Sequence, residues 1–331
     1  MINKLSLQNF RNYTKREFEF SKNNIIIGNN GTGKSNIMEA IYLLATGKSF
    51  RADYDEEMIS YGAQCSVLSA QLEDLELKVM INDKKKFEVN GIPRRMIDFV
   101  GNIRAVLFAP QDMELVTGGP GGRRRYLDFV ITQMDREYRR CLISYEKGLR
   151  QRNKLLSLIR DGLAQRHQLY FWDRLLIKDG EYLTLARNKY LKELPTIYDK
   201  SIISESRLKQ YEIEEVASAT TLVGPHRDDF QILFQEKDVS KYGSRGEQRM
   251  SVLKLKQREI EYLSFDSAQD AQKPLLLLDD IFSELDHSRR EEVMKLVNDY
   301  PGQVIATTAD ENLHLPQNYR IINACTFQNT Q

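Results

Sequence analysis

Apolar positions along this chain change their spacing several times, and each change marks a new element. Leu5, Leu7 and Phe10 alternate with polar residues, a polar turn follows, and Phe18 and Phe20 alternate again, which predicts a hairpin. Asn24, Ile25, Ile26 and Ile27 form a short run of buried-strand type that ends at Gly28. From Lys34 the period becomes helical, with Ile37, Met38, Ile41, Leu44 and Ala45 recurring on one face. Strand, glycine loop and helix therefore follow one another without interruption. Residues 50–109 read mostly as strands, among them Leu75, Leu77, Val79 and Ile81, and then Val106 to Phe108.

Gly118, Gly119, Pro120, Gly121 and Gly122 break the pattern. Beyond them Leu127, Ile131, Met134, Tyr138, Leu142, Tyr145 and Leu149 predict one amphipathic helix with a heptad-like seam. A second helical stretch carries Trp172, Leu176, Leu183, Ala186, Tyr190 and Leu194 and stops at Pro195. Strands are predicted again at Thr221 to Val223 and Phe230 to Phe234, a helix from Ser244 to Leu263, a polar loop from Ser264 to Lys273, and buried strands at Leu275 to Leu278 and Gln303 to Ala306. The fold class is α/β. Residues 115–215 read as a helical arm inserted between two halves of one domain, 1–114 and 216–331.

Composition narrows the field. The chain has 331 residues, 41% hydrophobic and 29% charged, which suits a globular protein with ample core and excludes a disulfide scaffold, a collagen-like chain or a disordered tail. No apolar run approaches the roughly 18–20 residues of a membrane span, and the first eleven residues lack the apolar stretch of a secretory signal. Cys65, Cys141 and Cys325 are far apart, with no CxxC pair, and the four histidines show no metal-site spacing. A reduced, cytoplasmic protein is expected. The net charge of +1 hides an uneven distribution: Arg123 to Lys209 holds 20 basic and 11 acidic residues, a surplus of +9, against −8 for the remainder.

Gly28, Asn29, Asn30, Gly31, Thr32, Gly33, Lys34 and Ser35 match G-x-x-x-x-G-K-[ST] between a strand and a helix. The glycines let the backbone curl so that its N–H groups converge on phosphate oxygens at a helix N-terminus. Lys34 is then placed to reach the β- and γ-phosphates, and Ser35 to help hold Mg²⁺. Four leucines followed by Asp279 and Asp280 supply a partner. Acids after a strand are often mere helix caps, but beside a phosphate loop Asp279 can bind the metal and Asp280 can orient or deprotonate water. Ser244, Gly246 and the helix they open form a second anion site, which one chain does not need for one nucleotide; a second copy's nucleotide would give it a purpose.

Taken together, the Leu5–Tyr13 start, the loop from Gly28 to Asn36, Phe108 to Asp112, Arg123 to Asp128, Gln151 to Asn153, Gly224 to Asp229, Gly243 to Arg249 and Asp279 to Asp286 resemble the ABC-type ATPase heads of the SMC, Rad50 and RecF group, most closely the RecF family. The blocks span nearly the whole chain in the family's order. The resemblance implies a P-loop ATPase head with a helical arm that binds ATP and Mg²⁺, dimerises around two nucleotides and hydrolyses ATP slowly. It also implies binding to double-stranded and gapped DNA, work with RecR and RecO, help in loading RecA, and no membrane role. Ser244 and Gly246 would belong to the signature motif, and Ser283 to Asp286 would touch the partner subunit. Gln111 or Asp112 would sense the metal, with Gln111 favoured for its carboxamide.

Some residues depart from general ABC patterns. Asp280 stands where a Glu is common, Glu247 replaces a more familiar Gln, and Thr307 and Thr308 fall after the last core strand, where transporters carry a His. His226 is expected to play a structural part in a turn. In the arm, Arg123, Arg124, Arg139, Arg140, Arg150, Arg152 and Lys154 are candidate DNA-phosphate contacts; the alternative for each is a solvated helix face, and Arg125 and Asp128 are candidates for packing the arm on the head. A transporter subunit, a long coiled-coil chromosome protein and a small-molecule kinase are the rival classes. The first lacks its His, the second its long coiled coil, and the third has no use for the Ser244 motif.

Overall fold

The computed structural model describes residues 1–264, 273–280, 297, 299–309 and 319–324. The predicted Ser264–Lys273 loop falls mainly outside the described residues, as does the Ser283–Asp286 segment. The chain divides into two compact units, Met1–Asp112 with the residues from Glu259 onward, and Met113–Arg258. The second division falls within the Arg245–Ser264 helix, so residues 216–258 cluster with the helical segment.

In chain order the strands are β1 (Lys4–Phe10), β2 (Tyr13–Glu19), β3 (Asn23–Ile27), β4 (Ser66–Gln71), β5 (Glu76–Ile81), β6 (Lys86–Val89), β7 (Ile92–Arg94), β8 (Ala105–Phe108), β9 (Thr196–Asp199), β10 (Asp229–Phe234), β11 (Lys237–Asp238), β12 (Leu275–Leu278), β13 (Val304–Thr308) and β14 (Arg320–Asn323). In the first unit β2-β1-β4-β5-β6-β7 form an antiparallel sheet and β14-β3-β13-β12-β8 a parallel one. The four leucines of β12 are all buried, as a strand covered on both faces requires. The Lys34–Thr46 helix is apolar nearly all round, and Ile37, Met38, Ala40, Ile41, Leu43, Leu44 and Ala45 are fully buried. Such a helix needs neighbours on several sides; this one touches β1, β4 and β5 of the antiparallel sheet and β8 of the parallel one.

The second unit is built on an antiparallel helix pair, Arg136–Arg160 and Tyr170–Leu191. Their close approach needs a glycine, because a Cβ on Gly148 would lie 2.7 Å from Leu175 Cδ2. The single seam helix of the sequence is in fact two, Pro120–Met134 and Arg136–Arg160. Asp135 adopts an extended backbone and its side chain accepts from Tyr138 N at 2.9 Å, so it caps the second helix. Thr221 to Val223 is not a strand either. The segment is pinned by Arg152, which donates to Thr221 Oγ1, and by Asn153, whose Oδ1 accepts from Thr221 N. A strand that the periodicity does not reveal, β9, pairs with β10.

Candidate functional site

Parallel strands deliver their following loops to one edge of a sheet. Here β3, β13 and β12 are neighbours, so the loop after β3, the end of β13 and the acids after β12 converge. In the loop, Gly31 (φ +82°) and Gly33 (φ +103°) take left-handed conformations. Gly33 has a further constraint, since a Cβ there would lie 2.6 Å from Asn12 Nδ2 and 2.7 Å from Tyr13 Oη. The β1–β2 turn thus braces the loop. Asn12 Nδ2 donates to Thr32 O (3.1 Å), and Asn36 Nδ2 donates to Asn12 Oδ1 (2.8 Å). Arg11 of the same turn forks onto the fully buried Glu39 at 2.8 and 2.6 Å.

Lys34 is buried, and its Nζ donates to Gly28 O (2.6 Å) and Asn29 O (3.0 Å), folded back over the loop. Asn29, Asn30 and Gly31 are exposed at the loop's crest. Ser35 Oγ donates to Asp279 Oδ1 at 3.0 Å, and Thr307 Oγ1 donates to the same oxygen at 2.8 Å. Burial raises the Asp279 carboxyl above the ordinary Asp value, which the two hydroxyl bonds offset only in part. A buried carboxylate beside a serine hydroxyl is the hard-oxygen environment that suits Mg²⁺, whose charge would relieve the burial cost; the residues fit the ion.

Asp280 follows with φ +49°, its N–H donating to Thr307 Oγ1 at 2.9 Å. Thr307 and Thr308 are the last two residues of β13 rather than residues beyond it, which corrects their expected placement. After β8, Asp112 Oδ2 accepts from Ala109 N (2.8 Å) and caps the Pro110–Met113 turn, while Gln111 on that turn is exposed. Arg51, not foreseen from the sequence, donates to Asn36 Oδ1 at 3.0 Å and helps to lower the Asp279 carboxyl. Arg11, Asn12 and Glu39 were also missed, and the only signal for them was that the first two lie in the Leu5–Tyr13 block. Thr307 was singled out only for standing where transporters carry a His, not as a partner of Asp279.

In the second unit, Ser244 opens the Arg245–Ser264 helix. Its N–H and Oγ donate to Glu247 Oε2 at 2.7 and 2.8 Å, and Glu247 N donates back to Ser244 Oγ at 3.3 Å. This reciprocal cap gives Glu247 a definite contact and holds its carboxyl below the ordinary Glu value through the two Ser244 bonds. Gly246 lies in the first turn, half-buried.

The arm cations divide by burial. Arg139 and Arg152 are 7% and 2% exposed, which corrects the expectation that they face phosphates. Arg139 donates to Thr132 O, and Arg152 pairs with Asp173 (2.6 Å) and the buried Glu215 (2.7 Å). Arg123 forks onto Asp229 at 2.7 and 2.9 Å, and Arg124 donates to Asp228 O. Arg140 pairs with Glu137 and Asp179. Arg150 and Lys154 are exposed, and neither forms an ion pair among the described residues. Asp128 accepts from Tyr138 and from Arg187 inside the second unit, so its packing contacts lie there. His226 holds a turn as expected. Thr221 O can only accept, so Nε2 carries the proton (3.0 Å) and Nδ1 accepts from Tyr145 Oη (2.8 Å).

A glycine phosphate loop, an aspartate after the next-but-one parallel strand and an antiparallel sheet in the same unit define the chain as an ABC-type ATPase head, and solved structures of that class superpose on it. A recombination mediator protein RecF solved with ATP, of the RecFOR pathway, matches with a TM-score of 0.87 and 30% identity, covering 98% of this chain and 95% of that one. The form of RecF described as RecF-ATPrS matches at 0.86 and 29%, over 98% and 96%. Residues 1–326 match the RecF/RecN/SMC N terminal domain. The DNA replication and repair protein RecF of Lachnoclostridium phytofermentans is 35% identical over 94% of both chains, and that of Thermomicrobium roseum 34% identical over 95% and 94%. The chain belongs to the RecF family.

Proposed function

We propose that this chain is a DNA-repair ATPase that closes as a homodimer on DNA when it binds ATP and reopens when it hydrolyses it. The observation that carries this reading is the convergence of Ser35, Asp279 and Thr307 below the phosphate loop. Gly28 to Asn36 cradle the triphosphate through backbone N–H groups, and Lys34 exchanges its two loop carbonyls for phosphate oxygens. Ser35, Asp279 and Gln111 would hold Mg²⁺, which would neutralise phosphate charge. Asp280, its backbone anchored by Thr307, orients the attacking water and takes its proton as the oxygen bonds the γ-phosphorus and ADP leaves. Ser244 and Gly246 serve the nucleotide of the second copy. Turnover is slow, so that hydrolysis acts as a timer rather than as a metabolic reaction.

In this reading residues 1–114 and 216–331 act as the head and 115–215 as the arm. The protein works in the cytoplasm at gapped duplex and at junctions of single and double strand, with RecR and RecO, to help load RecA. The family membership and the ATP-bound RecF relatives support it. Of the seven candidate arm cations, Arg150 and Lys154 are exposed and form no ion pair among the described residues, so they are the ones proposed to meet phosphates.

The test is binding of labelled gapped duplex, plain duplex and single strand with and without ATP, using Asp280→Asn to hold the nucleotide, with light scattering on the same samples. ATP should produce both a dimer and tighter duplex or junction binding, and Ser244→Arg should abolish both. ATP binding with no change in DNA affinity at moderate salt would sink the proposal.

A further inference from the structure

The strands β3, β13 and β12, whose carboxyl ends carry the phosphate loop, Thr307 and Asp279, begin with β8 at the opposite edge of the parallel sheet. A cavity of about 370 Å³ lies at those amino ends. Lys22 stands before β3, Gln303 before β13, Lys273 shortly before β12 and Arg104 before β8, and all four line it. The backbone ladder closes at the same level: Val304 N donates to Lys22 O (2.8 Å), Leu276 N to Gln303 O (3.0 Å) and Leu275 N to Arg104 O (2.7 Å). Asn23 pairs with Val304, and Val304 with Leu276. One position earlier, Lys22, Gln303 and Leu275 therefore share a single face of the sheet.

Gln303 is buried and ties that face to the segment before β1. Its Oε1 accepts from Ile2 N at 2.8 Å, and its Nε2 donates to Ile2 O and to Ser21 O, both at 2.8 Å. Gly302 leaves no room for a side chain, since a Cβ there would lie 2.5 Å from Tyr300 Cε1 and 3.0 Å from Lys273 Cβ. The walls are thus fixed by packing. Ile2, Ile103 and Leu275, each at most 5% exposed, supply an apolar interior. Among the described residues no acid lines the cavity, whereas three cations do. Arg104 has a structural task, because its Nη1 donates to Leu263 O (3.1 Å) in the last turn of the Arg245–Ser264 helix. That task does not reach Lys22 or Lys273. Both are exposed, and neither forms an ion pair among the described residues. Two such lysines beside a buried apolar hollow make more than a solubilising rim, and the hollow has the size of a small-molecule site.

We propose that this cavity is a binding site for a small amphipathic anion, with an apolar body seated on Ile2, Ile103 and Leu275 and a carboxylate or phosphate head held by Lys22 and Lys273. The inference is independent of the ATPase and DNA readings above. Lys22 precedes Gly28 by six residues along β3, a distance of about 20 Å in an extended strand. The anion and the nucleotide therefore occupy opposite ends of the same strands and do not compete.

The experiment titrates the full chain, with ATP saturating, with anilinonaphthalene sulfonate, an aromatic anion whose fluorescence rises in apolar sites. One dye should bind per chain. Octanoate or octyl phosphate should displace it, and octanol, which carries no charge, should not; displacement by one acid alone assigns the head group. In a Lys22→Gln/Lys273→Gln variant the dye should bind about fivefold more weakly, while Lys22→Arg/Lys273→Arg should bind it as the parent does. Both variants should keep the parent's melting temperature, because both positions are exposed. No dye bound to the parent, an unchanged dye affinity in the Gln variant, displacement by octanol as strong as by the acids, or displacement by neither acid overturns the inference. Release of the dye by ATP overturns it as well, since that places the dye at the phosphate loop.

Discussion

Ser35 Oγ lies 3.0 Å from Asp279 Oδ1, although 244 residues separate them. The contact exists because β3, β13 and β12 run parallel and bring their carboxyl ends to one edge of the sheet, and Thr307 of the middle strand completes it at 2.8 Å. Because burial raises the Asp279 carboxyl, this residue costs the fold something in return for its chemistry. Asp279→Asn should therefore leave the melting temperature unchanged or raise it, while lowering Mg²⁺-dependent ATP hydrolysis by about a hundredfold or more. Calorimetry beside a phosphate-release assay checks both halves. A large loss of stability would show that the carboxylate holds the fold together.

Gly33 is held both by its backbone, at φ +103°, and by the Asn12 and Tyr13 side chains where a Cβ would sit. Gly33→Ala should cost about 1–3 kcal/mol and weaken ATP binding. Asn12→Ala combined with it should restore part of the stability but not the affinity, since the left-handed conformation remains strained. Denaturant titration of the two single variants and the double variant gives the coupling. Full recovery of ATP affinity in the double variant would show that the clash alone matters.

Burial lowers the His226 imidazole from 6.5 to about 4, although the hydrogen bond to Thr221 works the other way. A folded pKa below the unfolded one means that the unfolded chain binds the extra proton between these values. Stability from this group is complete above about pH 6.5 and declines as pH falls towards 4, by on the order of 3 kcal/mol in all. His226→Gln should flatten that part of the stability–pH curve, measured by urea unfolding at several pH values. An unchanged slope would place the acid sensitivity elsewhere.

Arg152 and Lys154 are two residues apart on one helix and should behave oppositely. Arg152→Gln leaves Glu215 buried without its ion-pair partner and should destabilise the second unit by about 3–5 kcal/mol. Lys154→Gln should leave stability within about 0.5 kcal/mol, and should make the salt slope of DNA binding shallower by about 0.9. Thermal unfolding and DNA titration of both variants test the contrast. Equal effects on DNA binding at matched stability would return Arg152 to the surface role.

The phosphate loop was legible in the residues alone because its physics is local. Glycines at the two left-handed positions, a strand before and a helix after are all set by neighbours in the chain. The α/β class was legible for the same reason, since periodicity reports which faces are buried. Spacing said nothing of what covers a face. The seam from Leu127 to Leu149 runs in phase through Asp135, yet the chain breaks there because Asp135 caps a new helix. Thr221 to Val223 has a strand's composition but no strand to pair with, and Arg152 and Asn153 hold it instead.

Charge counting met the same limit. A surplus of +9 was correct for the segment, but it could not separate Arg152, which is spent on Asp173 and Glu215, from Arg150, which faces water. What this sequence determined by itself was the local chemistry: a loop shaped for phosphate, acids at the end of an apolar strand and a capped helix. The tertiary structure decided which of those groups meet, because strand order sets distances that no spacing along the chain encodes, and burial decides whether a charge is used inside the fold or offered outside it.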